Sequence, residues 1–293
     1  MPNAKTRFAN LLIHIEKNLD AQLDTSSLSE IANLSKYHFH RQCKSAWGIS
    51  IHSVIKLLRM KRAAYLLAYR DDHKILTIAL ISGFDSHEAF SRSFKEIFEL
   101  SPSAFRSKPD WRSWHKHYEP IIQLRKKIMS SEPAHEVKVV EFPEQTLAVL
   151  EHRGSPKTLG NTIRSFIQWR KQNGLPPSKA RTFNLLYDDP NDVTSNKIAS
   201  YDYRFDVGCS FDGVVQKNDS GIIQKSITGG KCAMIRHIGS DDAIEQKVAY
   251  LYSQWIGESG YALRDFPLFF ERVSFFPDVS ENEMVTDIYL PIE

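Results

Sequence analysis

Residues 78–106 read IALISGFDSHEAFSRSFKEIFELSPSAFR. A short apolar segment breaks at Gly83, and Ser86 then stands where a helix can begin, because a serine hydroxyl caps free backbone N–H groups. Three phenylalanines follow at intervals of four residues, from Phe90 to Phe98, which places them on one side of that helix. The pattern predicts a helix-turn-helix, the arrangement whose second helix enters a DNA groove.

The same unit occurs earlier in the chain, at an offset of 51 residues. Ser35 corresponds to Ser86 and Arg41 to Arg92, and apolar positions match apolar positions. Residues 51–69 between the copies keep a helical periodicity throughout. We therefore predict two copies of one helix-turn-helix unit joined by a stiff helix.

The polar face of each second helix carries long side chains suited to DNA. Arg41 and Arg92 occupy equivalent positions, and an arginine can donate two hydrogen bonds to guanine. Most polar helix faces are only solvated surfaces, so the repetition of the unit is what favours DNA binding. The candidate DNA-binding residues are Lys36, Tyr37, His40, Arg41 and Lys44 in the first unit, and Ser86, His87, Glu88, Ser91, Arg92 and Lys95 in the second.

Charge is divided unevenly along the chain. The net charge is +3, but residues 1–130 hold 21 Lys+Arg against 12 Asp+Glu, a net of +9, and the remainder holds 17 against 23, a net of −6. A basic N-terminal part suits a polyanion such as double-stranded DNA. In the joining helix Arg59, Lys61 and Arg62 are candidate phosphate contacts. The split predicts two domains with different partners.

The N-terminal motifs are similar to the signature of the AraC/XylS family of bacterial regulators. The resemblance covers about residues 5–108 and implies a DNA-binding domain with two helix-turn-helix units, with RNA polymerase as a further partner. Ser29 departs from it, since alanine is usual there. The matching positions are Ser35, Phe39 and Arg41 in the first unit, and Ile78, Gly83, Phe90, Arg92, Phe94, Lys95, Phe98, Ser101, Pro102, Phe105 and Arg106 in the second.

The C-terminal part also repeats, here at an offset of 85 residues. LAVLEHRGS at 147–155 matches CAMIRHIGS at 232–240, so His152 and His237 are equivalent, which favours a structural role for both. Each copy predicts a strand, a glycine turn, a helix and two further strands. The fold class we predict is multidomain: an all-α double helix-turn-helix domain, then an α+β domain of two βαββ repeats with an antiparallel sheet and a groove between the halves. The predicted boundaries are 1–108, a linker at 109–136, and 137–293.

The C-terminal region resembles the GyrI-like effector-binding domain, in the domain order of Rob-type regulators. The matching pieces include YDDP at 187–190, IRHIG at 235–239 and FER at 270–272. The resemblance implies a lipophilic, often cationic, small-molecule ligand and assigns its carboxylate to Glu271. The alternative is that the phenylalanines are strand core and that Glu271 pairs with Arg272 or another base. The candidate ligand-binding residues are Glu271, Trp255, Tyr252, Phe269 and Tyr201.

Other function classes find little support in the residues. There is no HExxH, GxSxG or P-loop motif, so we expect neither an enzyme nor a bound metal or cofactor. The three scattered cysteines and the lack of any long apolar run favour a cytoplasmic protein without membrane contact. One alternative stays open, a small-molecule sequestering or hydrolysing module for which DNA binding is secondary.

Overall fold

The computed structural model of this chain describes residues 4–129, 136–195, 199 and 201–293. They form two compact units. The first consists of residues 1–132 together with the short segment 276–283, and the second consists of residues 133–275 and 284–293. None of the helices within the described ranges is long and apolar enough to cross a membrane.

The helical unit follows the predicted repeat. Helices α2 and α3 form the first helix-turn-helix, α5 and α6 form the second, and α4 joins them over 19 residues. The predicted inward stripes are buried, with Phe39, Cys43, Phe90 and Phe94 fully inaccessible to solvent. In order the helices are α1 (Ala4–Lys17), α2 (Thr25–Ile31), α3 (Lys36–Trp47), α4 (Ile51–Tyr69), α5 (Ile75–Ile81), α6 (His87–Phe98), α7 (Pro102–Ser107) and α8 (Arg112–Met129).

The segment expected to be a linker, 109–136, differs from that expectation. Most of it is helix α8, and Trp114 and Tyr118 of this helix are buried in the core of the first unit. Trp114 stacks on Phe98 of the second helix-turn-helix with ring centroids 5.3 Å apart. These aromatic residues of the expected linker are therefore core contacts. Residues 130–135 of the expected linker lie outside the described residues.

The second unit is built on one antiparallel sheet, which confirms the predicted α+β fold. The strand order is β1-β6-β8-β7-β3-β4-β2-β5, so β3 and β7 meet at the centre. Its elements are β1 (Lys138–Phe142), β2 (Gln145–Arg153), α9 (Leu159–Gln172), β3 (Thr182–Leu186), α10 (Pro190–Thr194), β4 (Arg204–Ser210), β5 (Ile222–Ile227), β6 (Gly230–Ile238), α11 (Ile244–Tyr250), α12 (Ile256–Ser259), β7 (Leu268–Arg272) and β8 (Val285–Pro291).

Two βαββ repeats supply six of the eight described strands of this sheet, and the strand before each repeat pairs with the other repeat. Strands β2, β3 and β4 with α9 form the first repeat, and β6, β7 and β8 with α11 form the second. Strand β1 precedes the first repeat but pairs with β6, whereas β5 precedes the second repeat but pairs with β2. This exchange ties the two halves together, and the sequence repeat did not predict it.

The two equivalent histidines hold equivalent turns. His152 Nε2 lies 3.2 Å from the carbonyl oxygen of Ser155, and His237 Nε2 lies 2.9 Å from that of Ser240. Gly154 and Gly239 both have a φ of +134°, a backbone conformation that residues other than glycine rarely adopt. Both histidines are buried, so the structural role predicted for them is consistent with their contacts.

Candidate DNA-binding surface and ligand site

Helices α3 and α6 present the predicted polar faces. Arg41 and Arg92 are exposed at equivalent positions, and Tyr37 is 92% exposed, which leaves its ring free of the core. Gln42, also exposed on α3, was not among the candidates, although its amide is suited to reading adenine. The other candidates exposed on these helices are Lys36, His40, Lys44, His87, Glu88 and Lys95, whereas Ser86 and Ser91 are partly buried.

Two of the predicted DNA-binding residues already have protein partners. The Ser86 hydroxyl accepts the backbone N–H of Ala89 at 3.1 Å and so caps α6. The His40 ring stacks on that of His52 with centroids 5.2 Å apart, and its Nε2 lies 3.3 Å from the Thr25 hydroxyl. The Ser86 contact fixes the start of α6, and the His40 contacts join α3 to α2 and α4.

Two of the three basic residues proposed as phosphate contacts in α4 serve the protein instead. Arg59 donates to the carbonyl oxygens of Leu19 and Ala21 at 2.9 and 2.7 Å, and this holds the turn that follows α1. Lys61 is buried and donates to Glu281 at 2.7 Å. The basic residues of α4 therefore suggested a larger phosphate-binding surface than its exposed side chains provide. The reason is that some lysine and arginine side chains of a helix face the protein.

Glu271 lies at the centre of the sheet, where β7 pairs with β3. Its carboxylate is held by Arg181, which donates from Nε at 2.7 Å and from Nη2 at 2.6 Å. The pair is unequally exposed, with 14% of the Glu271 side chain and 42% of the Arg181 side chain accessible. The hydrogen bond to Glu271 raises the pKa of Arg181 above its usual range. Of the two partners left open for Glu271, Arg272 or another basic residue, the structure has the second, which is Arg181.

Aromatic rings surround this ion pair. The Arg181 guanidinium lies 5.0 Å from the ring centroid of Phe183 and 5.6 Å from that of Phe142. Tyr289 stacks on Phe269 at 5.0 Å, and its hydroxyl lies 3.5 Å from Glu271 Oε2. Burial, together with the nearby charge of Glu271, raises the pKa of Tyr289, so this hydroxyl stays neutral. A carboxylate, a cation and aromatic faces thus share one site.

The structure brings only some of the predicted ligand residues together. Phe269 lies beside Glu271 and is fully buried. Trp255 packs against a different cluster, the one that contains Phe270, and stacks on Tyr261 at 6.1 Å. Tyr252 is 45% exposed and Tyr201 is 75% exposed. Because alternate residues of a strand face opposite sides, Phe270 and the cluster that Trp255 packs against lie on the other side of the sheet from Glu271.

Sequence reasoning missed Arg181, Phe142, Phe183 and Tyr289. The sequence offered only a near match for Phe183, since the offset of 85 residues aligns it with Leu268, one residue before Phe269. No local pattern pointed to Arg181, which is 90 residues away from Glu271 in the chain.

A second charged cluster lies in the other half of the sheet. Asp206 is fully buried and accepts from Lys225 at 2.5 Å and from the Tyr187 hydroxyl at 2.8 Å. In register, Asp206 faces Leu185, whereas its counterpart Asp287 faces Glu271. The first half therefore has leucine where the second has the carboxylate, and this makes the sheet electrically asymmetric.

Comparison with known proteins assigns both units. Residues 135–293 match the GyrI-like small molecule binding domain, and residues 28–108 match a helix-turn-helix domain. The probable transcriptional regulator YgiV of Escherichia coli K12 is 33% identical over 158 residues, which are 54% of this chain and 96% of YgiV. The right origin-binding protein of the same organism is 34% identical over 105 residues, 36% of each chain.

The crystal structure of a hydrolase from Listeria innocua is also similar. It is 12% identical, has a TM-score of 0.41, and is matched over 58% of this chain and 98% of its own. Similarity at this level is no basis for assigning an activity. The matched family models cover both units, and this chain therefore belongs to the AraC-type transcriptional regulators that carry a C-terminal GyrI-like small molecule binding domain.

Proposed function

We propose that this protein regulates transcription in the cytoplasm by binding double-stranded DNA through α3 and α6, under the control of a small molecule that binds at Glu271. RNA polymerase is a further partner in this proposal, as the AraC resemblance implies. The single observation that carries the ligand-binding part is the Arg181–Glu271 ion pair among aromatic rings, because a cation already occupies that position.

The Arg181 guanidinium occupies the position that we propose for the cationic group of the ligand. A lipophilic cation can take its place on the Glu271 carboxylate and over the Phe142 and Phe183 rings. The exchange is favourable when the apolar body of the ligand also contacts Phe269 and Tyr289, since buried apolar surface contributes about 25 cal/mol per Å². Arg181 then regains hydration, because it is already 42% exposed.

The site supports binding better than hydrolysis. Arg181 engages both carboxylate oxygens of Glu271, and this lowers the availability of the group as a general base. The neutral Tyr289 hydroxyl is a hydrogen-bond donor rather than a nucleophile. We therefore propose a sensor without catalytic turnover, and we treat a sequestering or hydrolysing module as the outcome that a test must exclude.

Calorimetry on the full chain tests the ligand part. We use tetraphenylphosphonium as the cationic probe and triphenylphosphine oxide as the neutral one. Glu271→Gln should weaken the cation by at least about tenfold, ~1.4 kcal/mol, and the neutral compound much less. Glu151→Gln, a carboxylate change in the other half of the sheet, is the matched control and should change neither. Equal losses for both probes, or no binding by the wild type, would contradict the proposed site.

A further inference from the structure

The segment 276–283 links strands β7 and β8 but belongs to the helical unit. The two strands are still joined at its base, where the N–H groups of Val273 and Ser274 donate to the Val285 carbonyl at 3.0 and 3.2 Å. Glu271 precedes Phe276 by five residues, a distance of at most ~18 Å even when fully extended. The chain therefore runs directly from the candidate ligand site into the helical unit and back.

Glu281 anchors this segment in a buried ion network. Its Oε2 accepts from Lys61 Nζ at 2.7 Å and from Arg125 Nη1 at 2.8 Å. Arg125 also donates to Glu16 at 2.6 Å, and the Tyr118 hydroxyl accepts from Arg125 at 2.5 Å. All four charged side chains are at most 10% exposed. Burial would raise the pKa of Glu281, but the charges of Arg125 and Lys61 outweigh it and hold the pKa at about 2.

Contacts nearer the surface hold the rest of the segment. Asp278 accepts two hydrogen bonds from Arg70 at 2.6 and 2.5 Å. Phe276 packs edge-on against Tyr65 with centroids 5.1 Å apart. Near the other end, Glu283 pairs with Lys17 at 2.9 Å, and both side chains are about half exposed.

The anchors concentrate on the helix that separates the two DNA-reading units. Lys61 and Tyr65 lie on α4, and Arg70 is its C-cap residue. Because α4 connects α3 to α5, its position sets the spacing of α3 and α6. Buried ion pairs tolerate little displacement, since a broken pair leaves an uncompensated charge in a medium of low dielectric. Docking of the segment with its charges paired, and its release, would be the two states that coupling requires.

We propose that segment 276–283 couples the Glu271 site to α4, so that changes at the ligand site alter the spacing of the recognition helices. This inference rests on the proposed function for its ligand, but the segment and its anchors can be tested without one. The competing view is a passive staple, which stabilises the helical unit and transmits nothing.

Hydrogen–deuterium exchange on the full chain separates the two views. Glu281→Gln removes one charge from the buried network, and amide exchange in 276–283 and α4 should rise at least about tenfold. Because coupling is reciprocal, exchange in β7 and β8 should rise as well, by at least about threefold. Glu283→Gln is the control, since it alters the exposed pair of the same segment, and it should leave α4, β7 and β8 unchanged.

A second variant guards against misfolding of the first. Lys61→Met with Glu281→Gln removes both partners of one pair and leaves Arg125 paired with Glu16, which avoids an unpaired buried lysine. It should give the same pattern of exchange. If the segment and α4 exchange faster while β7 and β8 do not change in either variant, the segment is a passive staple and the proposal is overturned.

A ligand arm distinguishes failure of the coupling from failure of the proposed function. Saturating tetraphenylphosphonium should change exchange in α4 of the wild type and not in the Glu281 variant, although both bind the probe. Binding of the probe without any effect on wild-type α4 would overturn the coupling. If the wild type does not bind the probe, the ligand proposal fails, and the unliganded comparison still decides whether the segment transmits.

Discussion

In the proposed ligand site, Arg181 competes with the ligand for the Glu271 carboxylate. Arg181→Gln removes the internal competitor but keeps the carboxylate and the rings. Affinity for tetraphenylphosphonium should therefore increase, by about tenfold, in calorimetric titrations of the full chain. Arg153→Gln is the matched control, because Arg153 is similarly exposed at 41% and lies in the other half of the sheet. Unchanged or weaker binding by the Arg181 variant would show that Arg181 helps to build the site.

At the same scale, Arg41 and Arg92 are the residues that we propose to read bases. Arg41→Ala and Arg92→Ala should each cost ~1–3 kcal/mol in specific binding and relax base preference at separate positions of the site. Lys44→Ala provides the comparison, since a phosphate contact weakens all sequences alike and lowers the salt slope by about one. Fluorescence anisotropy with a duplex selected from a random pool, and with an unrelated duplex, measures both. Equal losses of affinity on the two duplexes would show that the arginines contact only phosphates.

At the scale of elements, the turn between α5 and α6 depends on Gly83. Its φ is +76°, and a Cβ there would lie 2.2 Å from the Leu19 carbonyl oxygen, close to the Arg59 side chain that holds the turn after α1. Gly83→Ala should lower the free energy of unfolding by more than about 2 kcal/mol in denaturant titrations. Gly48→Ala is the matched control, with a φ of +79° and no atom near its Cβ, and should cost only about 1 kcal/mol. Similar losses of unfolding free energy in the two variants would mean that the positive φ alone, and not the contact with Leu19, determines the cost.

Local periodicity explains which elements the sequence could predict. The stripes from Phe39 to Trp47 and from Phe90 to Phe98 each repeat within a single helix, so they predicted α3 and α6. The helical periodicity of residues 51–69 predicted α4. Helix α8 was hidden because its aromatic residues serve a core formed by distant segments. Segment 276–283 is polar and looks like an ordinary loop, and its docking depends on Lys61, which is 220 residues from Glu281. Such pairings follow from tertiary packing rather than from any short pattern.

At the scale of the whole molecule, all three cysteines are buried and free. Burial raises the pKa of Cys43 and Cys232 to about 11, and it raises the pKa of Cys209 as well. The thiols should therefore stay protonated at pH 8, and Ellman's reagent should label none of them within minutes in the folded protein. In urea it should label three per chain. Rapid labelling of one thiol under native conditions would show that a core opens locally.

In the function proposed here, two helix-turn-helix units read DNA under the control of the Glu271 site. Footprinting of the full chain on a selected duplex, with and without tetraphenylphosphonium, tests both parts of this claim in one experiment. We predict two protected patches about one helical turn, ~34 Å, apart, loss of one patch in Arg92→Ala, and a shift in the half-protecting concentration when the probe is added. A single patch that survives Arg92→Ala, with no response to a probe that calorimetry shows to be bound, would contradict the claim.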